Sequence, residues 1–387
     1  MYTESEVLDF VEEEDVKFIR LAFFDVTGKQ KNISIMASQL RRAFNLGISF
    51  DASAITGFQE TNRSDLYLHP DPSTLSILPW RPNTGKVCRM FCNICYPDGT
   101  PYEKDYRHLL QKAVKAAKEE CGVTINIGSE VEFYLFKLDE FGNPTTQPFD
   151  NAGYMDIAPE DKGENIRREI CFTLEQMGIS PEASHHEEGP GQNEIDFRYS
   201  DPISAADNTE TFKWIVRTRA QANGLYADFS PKPIADKAGS GMHINMSCSD
   251  TSKLPNIIAG ILKHIAEITY YLNPSEKSYN RLGENKAPKY ISWGDQNRST
   301  LIRVPATKIE QRIEIRSSDP EANPYIAYSL LIHAAIDGIK NNLTPPPSVE
   351  ENLFTGDIAS NLETLPDTLD YAKELAEKSD FVKGILG

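Results

Sequence analysis

The sequence predicts an α+β protein in two parts. A small β-rich domain covers residues 1–103, and a larger domain, residues 104–387, sets helices behind an antiparallel sheet whose other face stays open. Three observations carry this. Up to about Glu103, short apolar runs alternate with turn residues. From Asp105 onward, stretches with helical apolar spacing end at glycines. Between those helices, four short stretches alternate an apolar residue with an ionisable one: Glu130–Tyr134, Asn193–Arg198, Gly241–Asn245 and Arg312–Arg316. Successive strand side chains point to opposite faces, so each stretch puts its apolar members on one side and its Glu, His or Arg on the other.

In order, Val16–Asp25 reads as a strand, Val26–Lys29 as a turn, Lys31–Met36 as a second strand and Ala37–Leu46 as a helix, with Pro70-Asp71-Pro72-Ser73 as punctuation. Lys86–Tyr96 is strand-like and closes on the turn Pro97-Asp98-Gly99. This run holds Cys88, Cys92 and Cys95, whose spacing matches some iron–sulfur ligand sets. In an extended strand, however, Cys88 and Cys92 share a face and Cys95 points the other way, so the three do not converge on a cluster. Buried, reduced thiols are the expectation. Leu109, Leu110, Ala113, Ala116 and Ala117 then mark a helix stopped by Gly122. Further helices are expected over Glu164–Met177 (stop at Gly178), Ala205–Asn223 (stop at Gly224), Leu254–Leu272 and Ala322–Ile339. In the last, Pro324 sits in the first turn, where its missing N–H is harmless.

Composition narrows the function. With 57 acidic against 40 basic residues, the formal net charge is -17. That field repels phosphate backbones and anionic lipid, which argues against nucleic-acid and membrane-surface roles. The N-terminal Met1–Glu6 is polar and acidic, unlike a secretory signal. The apolar run Pro324–Ile339 is too short and too polar to span a bilayer, so the expected location is cytoplasmic.

The ionisable strand faces define the chemistry. Glu130 and Glu132 lie two apart on one face, and Glu187 and Glu194 flank a glycine–proline loop that folds them toward each other. His243 and Glu314 complete five carboxylates and one imidazole, a set of hard oxygen ligands suited to Mg²⁺ or Mn²⁺. Drawn together without cations, such carboxylates would raise each other's pKa. Arg281, Arg298, Arg303, Arg312 and Arg316 add donors for carboxylates or phosphates. Cations plus arginines on one channel suit phosphoryl transfer, and without a GxxxxGK[ST] loop a nucleotide would be held by metals and arginines.

At these residues the chain resembles the bacterial type I glutamine synthetase family. The matching stretches include Phe24-Asp25-Val26-Thr27-Gly28, Phe50-Asp51-Ala52-Ser53, Gly128-Ser129-Glu130-Val131-Glu132-Phe133, His185-His186-Glu187, Gly191-Gln192-Asn193-Glu194, Gly239-Ser240-Gly241-Met242-His243, Asn297-Arg298-Ser299 and Arg312-Ile313-Glu314-Ile315-Arg316. The resemblance implies an N-terminal β-grasp domain and a catalytic domain with a curved antiparallel sheet backed by helices, of the type shared with guanidino kinases. It implies two or more Mg²⁺ or Mn²⁺ ions, with Glu132, Glu187 and Glu194 on one and Glu130, His243 and Glu314 on the other. Arg281, Arg316 and Gly239 would bind glutamate. Arg298, Arg303, Arg312, Asn245 and Ser247 would face ATP as substrate. Asp51, reaching in from a neighbouring subunit of a homo-oligomeric ring, would bind and deprotonate ammonium. Asp51, Arg298 and, by its place in the flap, Lys286 are the residues expected to act on the reaction itself. The implied reaction joins glutamate to ammonia through γ-glutamyl phosphate.

The flap departs from its family. Relatives read RLVPGYEAP, but here the chain reads Arg281-Leu282-Gly283-Glu284-Asn285-Lys286-Ala287-Pro288, one residue shorter and with Lys286 where the proton-accepting glutamate belongs. Two like charges at ~4 Å and an effective dielectric of ~20 repel by roughly 4 kcal/mol, so a free cation there disfavours ammonium. An organic amine is therefore the alternative acceptor. A non-catalytic regulatory homologue is a further alternative, opposed by the retention of all six metal ligands. Ala238 precedes Gly239 where relatives have asparagine, and the chain ends at Gly387, short of the C-terminal region expected in a stacked ring.

Overall fold

The computed structural model describes residues 2–307, 311–355 and 361–387. The chain divides into two compact units, Met1–Gln111 with Thr173–Ile179, and Lys112–Phe172 with Ser180–Gly387. None of the described helices is long and apolar enough to cross a membrane.

The first unit opens with helix α1 (Glu4–Glu13), which sequence reading did not anticipate. Its signal is a capping box: the Thr3 hydroxyl accepts from Glu6 N at 3.3 Å and the Glu6 carboxylate accepts from Thr3 N at 2.7 Å. Strands β1 (Val16–Phe24) and β2 (Gln30–Met36) form an antiparallel hairpin. Its turn closes on Asp25 Oδ1, which accepts from Thr27 N and Lys29 N at 3.0 Å each. Helix α2 (Leu40–Leu46) starts three residues later than expected, because Ala37–Gln39 form a separate 3₁₀ turn. Strands β3 (Ile48–Asp51), β4 (Asp65–Pro70), β5 (Ser76–Ile77) and β6 (Lys86–Cys95) complete a mixed sheet ordered β2-β1-β6-β4-β3, with β5 also beside β6 and β1 parallel to β6. Val7, Ile19, Leu21, Leu40, Leu66, Leu68 and Met90 form its core, each such side chain worth ~2 kcal/mol when removed from water. Cys88 and Cys92 are buried and Cys95 is half-buried, all three free, and burial pushes the Cys88 thiol up to about 12.

After α3 (Tyr106–Cys121) comes β7 (Ile125–Leu138), the long strand of the second unit. It is followed by β8 (Pro144–Pro148), α4 (Glu164–Gln176), β9 (Pro181–His186), β10 (Gln192–Phe197), α5 (Pro202–Ala222), β11 (Leu225–Asp228) and β12 (Met242–Cys248). The remaining elements are α6 (Leu254–Leu272), α7 (Glu276–Arg281), β13 (Trp293–Asp295), β14 (Ile302–Val304), β15 (Arg312–Ile315), α8 (Pro324–Lys340), α9 (Leu369–Lys378) and α10 (Asp380–Leu386). Among the described residues the sheet runs β13-β14-β15-β12-β7-β10-β9, with β11 and β8 also on β7. Every pair is antiparallel except β13–β14. The expected glycine stops hold: Gly122, Gly178 and Gly224 take positive φ just past α3, α4 and α5.

Asp201 caps α5 through Ile203 N and Ser204 N, and Asn323 caps α8 through Tyr325 N, each ahead of a proline in the first turn. Helices α6 and α8 meet backbone to backbone. A Cβ on Gly260 would lie 2.1 Å from Ala334 O, and one on Gly338 would lie 2.1 Å from Asn256 O. Phe381 of α10 stacks on His264 of α6, ring centroids 3.8 Å apart. We expect Gly260→Ala to lower stability by ~1–3 kcal/mol or more through overpacking. Gly384→Ala, in α10 with no atom near the new methyl, should be neutral or slightly stabilising. Denaturant unfolding of the two variants checks this, and an unperturbed Gly260→Ala would refute the close helix contact.

Candidate active site

Strand register assembles the site. On β7, Glu130 lies opposite His243 of β12 and Asp196 of β10, and Glu132 lies opposite Glu194. Glu194 in turn faces His185 of β9, while Glu314 of β15 faces Asn245 of β12 and Arg303 of β14. The alternate residues Val131, Phe133, Ile195, Ile244, Ile313 and Ile315 are fully buried in the core. The ionisable face opens onto a cavity of about 440 Å³. Lining it are Glu130, Glu132, Glu187, Glu194, His243, Gly239, Lys286 and all five expected arginines, Arg281, Arg298, Arg303, Arg312 and Arg316. A second cavity of about 510 Å³ shares Glu130, Asp196 and Arg312 and adds Asn245, Ser247 and Arg198. The expected nucleotide residues thus divide, Arg298 and Arg303 on the first cavity, Asn245 and Ser247 on the second, Arg312 on both. Asp51 belongs to the smaller unit, where its exposed carboxylate accepts from Ser53 N at 2.9 Å.

Glu130, His243 and Glu314 offer three ligand atoms within 4.8 Å of one another, with His243 Nδ1 3.5 Å from Glu130 and 3.6 Å from Glu314. Two carboxylates and an imidazole fit Mg²⁺ or Mn²⁺. Asn245 Nδ2 donates to Glu130 at 2.8 Å, and Arg312 Nε donates to Asn245 Oδ1 at 2.9 Å, so the second cavity is wired to the first. Glu314 is 2% exposed and accepts from Arg303 at 2.7 Å and Arg316 at 2.5 Å. Burial would raise its pKa, but Arg316, His243 and Arg303 outweigh that and hold it at about 2. Glu130 is likewise lowered, burial being overcome chiefly by His243.

On the other side the charge is uncompensated. His185 lies 3.5 Å from Glu187 and 3.7 Å from Glu194. Glu187 is pushed up to about 8 by burial and by Glu132, Asp196 to about 7 by burial and by Glu130, and Glu194 well upward by burial, Glu132 and Asp196. The expected mutual repulsion therefore holds for Glu187 and Glu194 but not for Glu130 and Glu314, where arginines and His243 answer it. Glu132, Glu187 and Glu194 all line the cavity, but the tight group here is His185, Glu194 and Asp196. Glu132 accepts from Gln192 Nε2 at 3.1 Å and Gly241 N at 2.8 Å.

The β9–β10 hairpin that presents Glu187 and Glu194 is pinned from beneath. Asp150 accepts from Gly191 N at 2.9 Å and contacts His186 Nε2 at 2.9 Å, while His186 Nδ1 meets Glu187 O at 2.6 Å. Arg167 donates to Asp161 and, at 2.6 Å, to Asn193. Asp150, Asp161 and His186 are thus committed to holding the hairpin, although their donor atoms cluster as a metal site would.

Arg281, at the end of α7, is 2% exposed and donates to Ser317 O at 2.9 Å and Arg316 O at 3.2 Å. Glycine is required beside it: a Cβ on Gly241 would lie 2.6 Å from its Nη2, and one on Gly239 2.8 Å from its Cγ. In the flap, Gly283, Asn285 and Lys286 all have positive φ, and the Lys286 ammonium donates to the Glu188 carboxylate. Sequence reasoning did not assign His185, Asp196, Glu188, Gln192 or Tyr154, which also line the cavity. Strand alternation was available as a signal for His185, two residues before Glu187, and Asp196, two after Glu194. Tyr154 and Glu188 had none.

The raised carboxylates imply a pH dependence. A carboxylate raised from 4.5 to about 8 in the folded state contributes stability that is present below 4.5 and lost as pH rises toward 8. A divalent cation favours the ionised form. We expect the rise in melting temperature on adding Mg²⁺ or Mn²⁺ to the metal-free protein to be larger at pH 8 than at pH 6. A pH-independent increment would show that these carboxylates do not bind the cation.

Comparison with known proteins follows the same lines. Residues 15–97 match the glutamine synthetase β-grasp domain family, and residues 103–387 match the glutamine synthetase catalytic domain family. The glutamine synthetase of Clostridium saccharobutylicum is 44% identical over 407 residues, covering 100% of this chain and 92% of the relative. That of Methanosarcina mazei is 46% identical, with 100% and 91% covered. Among solved structures, a GmaS/ADP complex superposes with a TM-score of 0.89 at 26% identity, covering 98% of this chain and 92% of the other. The Plasmodium falciparum glutamine synthetase shares the fold, with a TM-score of 0.86 at 21% identity, covering 100% of this chain and 95% of the other. Matched in both domains by that family, and along its whole length by enzymes of that name, the chain belongs to the glutamine synthetase family.

Proposed function

We propose that this family member is an ATP-dependent carboxylate–amine ligase that makes glutamine from glutamate and ammonia through γ-glutamyl phosphate. The observation that carries it is the placing of two buried arginines, Arg281 and Arg316, on the cavity lined by Glu130 and His243, which form a ligand trio with the buried Glu314. Carboxylate anchors beside cation ligands suit a reaction that brings an anionic amino acid to a polyanionic nucleotide. Arg281 and Arg316 hold the glutamate carboxylates. Arg298, Arg303 and Arg312 face the phosphates, and Asn245 and Ser247 line the adjoining cavity for the rest of the nucleotide. The solved GmaS complex contains ADP in the same fold, which supports this use of the paired cavities.

Mg²⁺ or Mn²⁺ held by Glu130, His243 and Glu314 and by Glu132, Glu187 and Glu194 would neutralise charge on the triphosphate. The γ-carboxylate oxygen of glutamate attacks the terminal phosphorus and ADP leaves. Ammonia then attacks the acyl carbon and phosphate leaves. Arg281 and Arg316 keep the amino acid in register across both steps. Ammonia remains the favoured acceptor because the flap cation does not stand free: Lys286 is paired with Glu188. We place the reaction in a homo-oligomeric ring, with Asp51 completing a neighbour's site.

The test is ATP- and Mg²⁺-dependent phosphate release with glutamate and a panel of amines that includes ammonium. Glutamine formed with ammonium supports the reading, and activity confined to an organic amine would replace it with the alternative acceptor. Glu314→Gln should lower turnover by about 100-fold or more through loss of a ligand carboxylate. Mixing inactive Asp51→Ala with inactive Glu132→Ala subunits should restore partial activity. No recovery after verified subunit exchange would count against a shared site.

A further inference from the structure

We propose that Glu188 is a second binding carboxylate for the cationic acceptor, beside Asp51 of a neighbouring subunit, and that Lys286 is a tethered ammonium which occupies the Glu188 position until the acceptor displaces it. This deepens the ligase reading and rests on it.

Glu188 and Lys286 both line the 440 Å³ cavity, and the Lys286 Nζ donates to Glu188 Oε1. Glu188 differs from the other cavity carboxylates in its partner. Glu130 accepts from Asn245, Glu132 from Gln192 and Gly241 N, while Glu187 and Glu194 flank His185. Glu188 faces a primary ammonium. Chemically, the terminus of Lys286 is an alkylammonium with three N–H donors, and the ammonium ion is the same group with one donor more. A position that satisfies the first satisfies the second.

The two partners differ in how firmly they are held. Glu188 sits at the tip of the β9–β10 hairpin, where Glu187 N donates to Gln192 O at 2.8 Å and Gln192 N to Gly189 O at 2.9 Å. The hairpin is packed so tightly that a Cβ on Gly189 would lie 1.8 Å from the Tyr134 hydroxyl. Lys286 sits on an exposed flap in which Asn285 and Lys286 hold positive φ, a conformation that Asn tolerates but Lys rarely adopts, and its side chain is 60% exposed. An ion pair this open to water is weak and exchanges readily. The carboxylate therefore stays while the tethered ammonium leaves, and an incoming ammonium ion competes with it for one site. The charge pattern of the flap follows from this. With the carboxylate supplied by the opposing hairpin, the flap carries the complementary charge.

The test compares wild type, Lys286→Met, Glu188→Gln and the double variant by steady-state kinetics in ammonium and in glutamate, and by calorimetric titration with ammonium chloride at fixed ionic strength. Removing the tethered competitor should lower KM for ammonium by about threefold and tighten its calorimetric binding. Glu188→Gln should raise KM for ammonium by about tenfold while KM for glutamate stays put. In the Glu188→Gln background, Lys286→Met should have no further effect. An unchanged ammonium KM in Glu188→Gln, or a Lys286→Met effect of equal size with and without Glu188, overturns the proposal. If the wild type makes no glutamine yet ammonium binds more tightly to Lys286→Met and not to Glu188→Gln, the ligase reading fails and the binding site stands.

Discussion

The site depends on the register of one strand. β7 pairs with β12, β10, β11 and β8, and its alternation sends Glu130 and Glu132 to the cavity and Val131 and Phe133 to the core. A slip of one residue would exchange the two sets, burying two carboxylates against helices and exposing the apolar pair. Burying unpaired carboxylates carries a desolvation penalty of several kcal/mol each, so the hydrophobic pattern that folds the sheet also aims the chemistry. His243, Glu194 and Glu314 inherit their direction from pairing with this strand or with its neighbour β12.

Charge is then divided between two halves of the cavity. On the β12–β15 side, Arg303 and Arg316 bracket Glu314, and the carboxylates ionise readily. On the β9–β10 side, Glu187, Glu194 and Asp196 crowd together and hold protons more tightly than isolated carboxyls do. The half with its own counter-charges is organised by the protein alone. The other half leaves its carboxylates to one another and to His185. The buried Arg167–Asp161 and His186–Asp150 pairs make that tolerable by fixing the hairpin backbone whatever its side chains carry.

Much of this was legible in the sequence, for identifiable reasons. The four ligand strands were visible because alternation is a period-two signal, and α3, α4 and α5 because Gly122, Gly178 and Gly224 end them. Helix α6 was legible over its full span, Leu254–Leu272, from apolar periodicity. Strands β8, β9, β11, β13 and β14 escaped because three to six residues without clean alternation carry little pattern, and α1 because its cap, Thr3 with Glu6, was its main signature. In the site, His185 and Asp196 were implied by the same two-residue period that picked out their neighbours. The Glu188–Lys286 pair joins residues 98 apart across a loop and a flap, and no local rule connects them.

The helix layer behind the sheet has one more consequence. Where α6 and α8 cross, Gly260 and Gly338 bring main chain against main chain, with no side chains between to change rotamer. Shear between packed helices works through small readjustments of interlocking side chains, and that route is closed at this crossing. The rear of the catalytic unit is thus an anvil. Any rearrangement around the cavity therefore falls to the front, where the flap around Asn285 and Lys286 is exposed and holds positive φ.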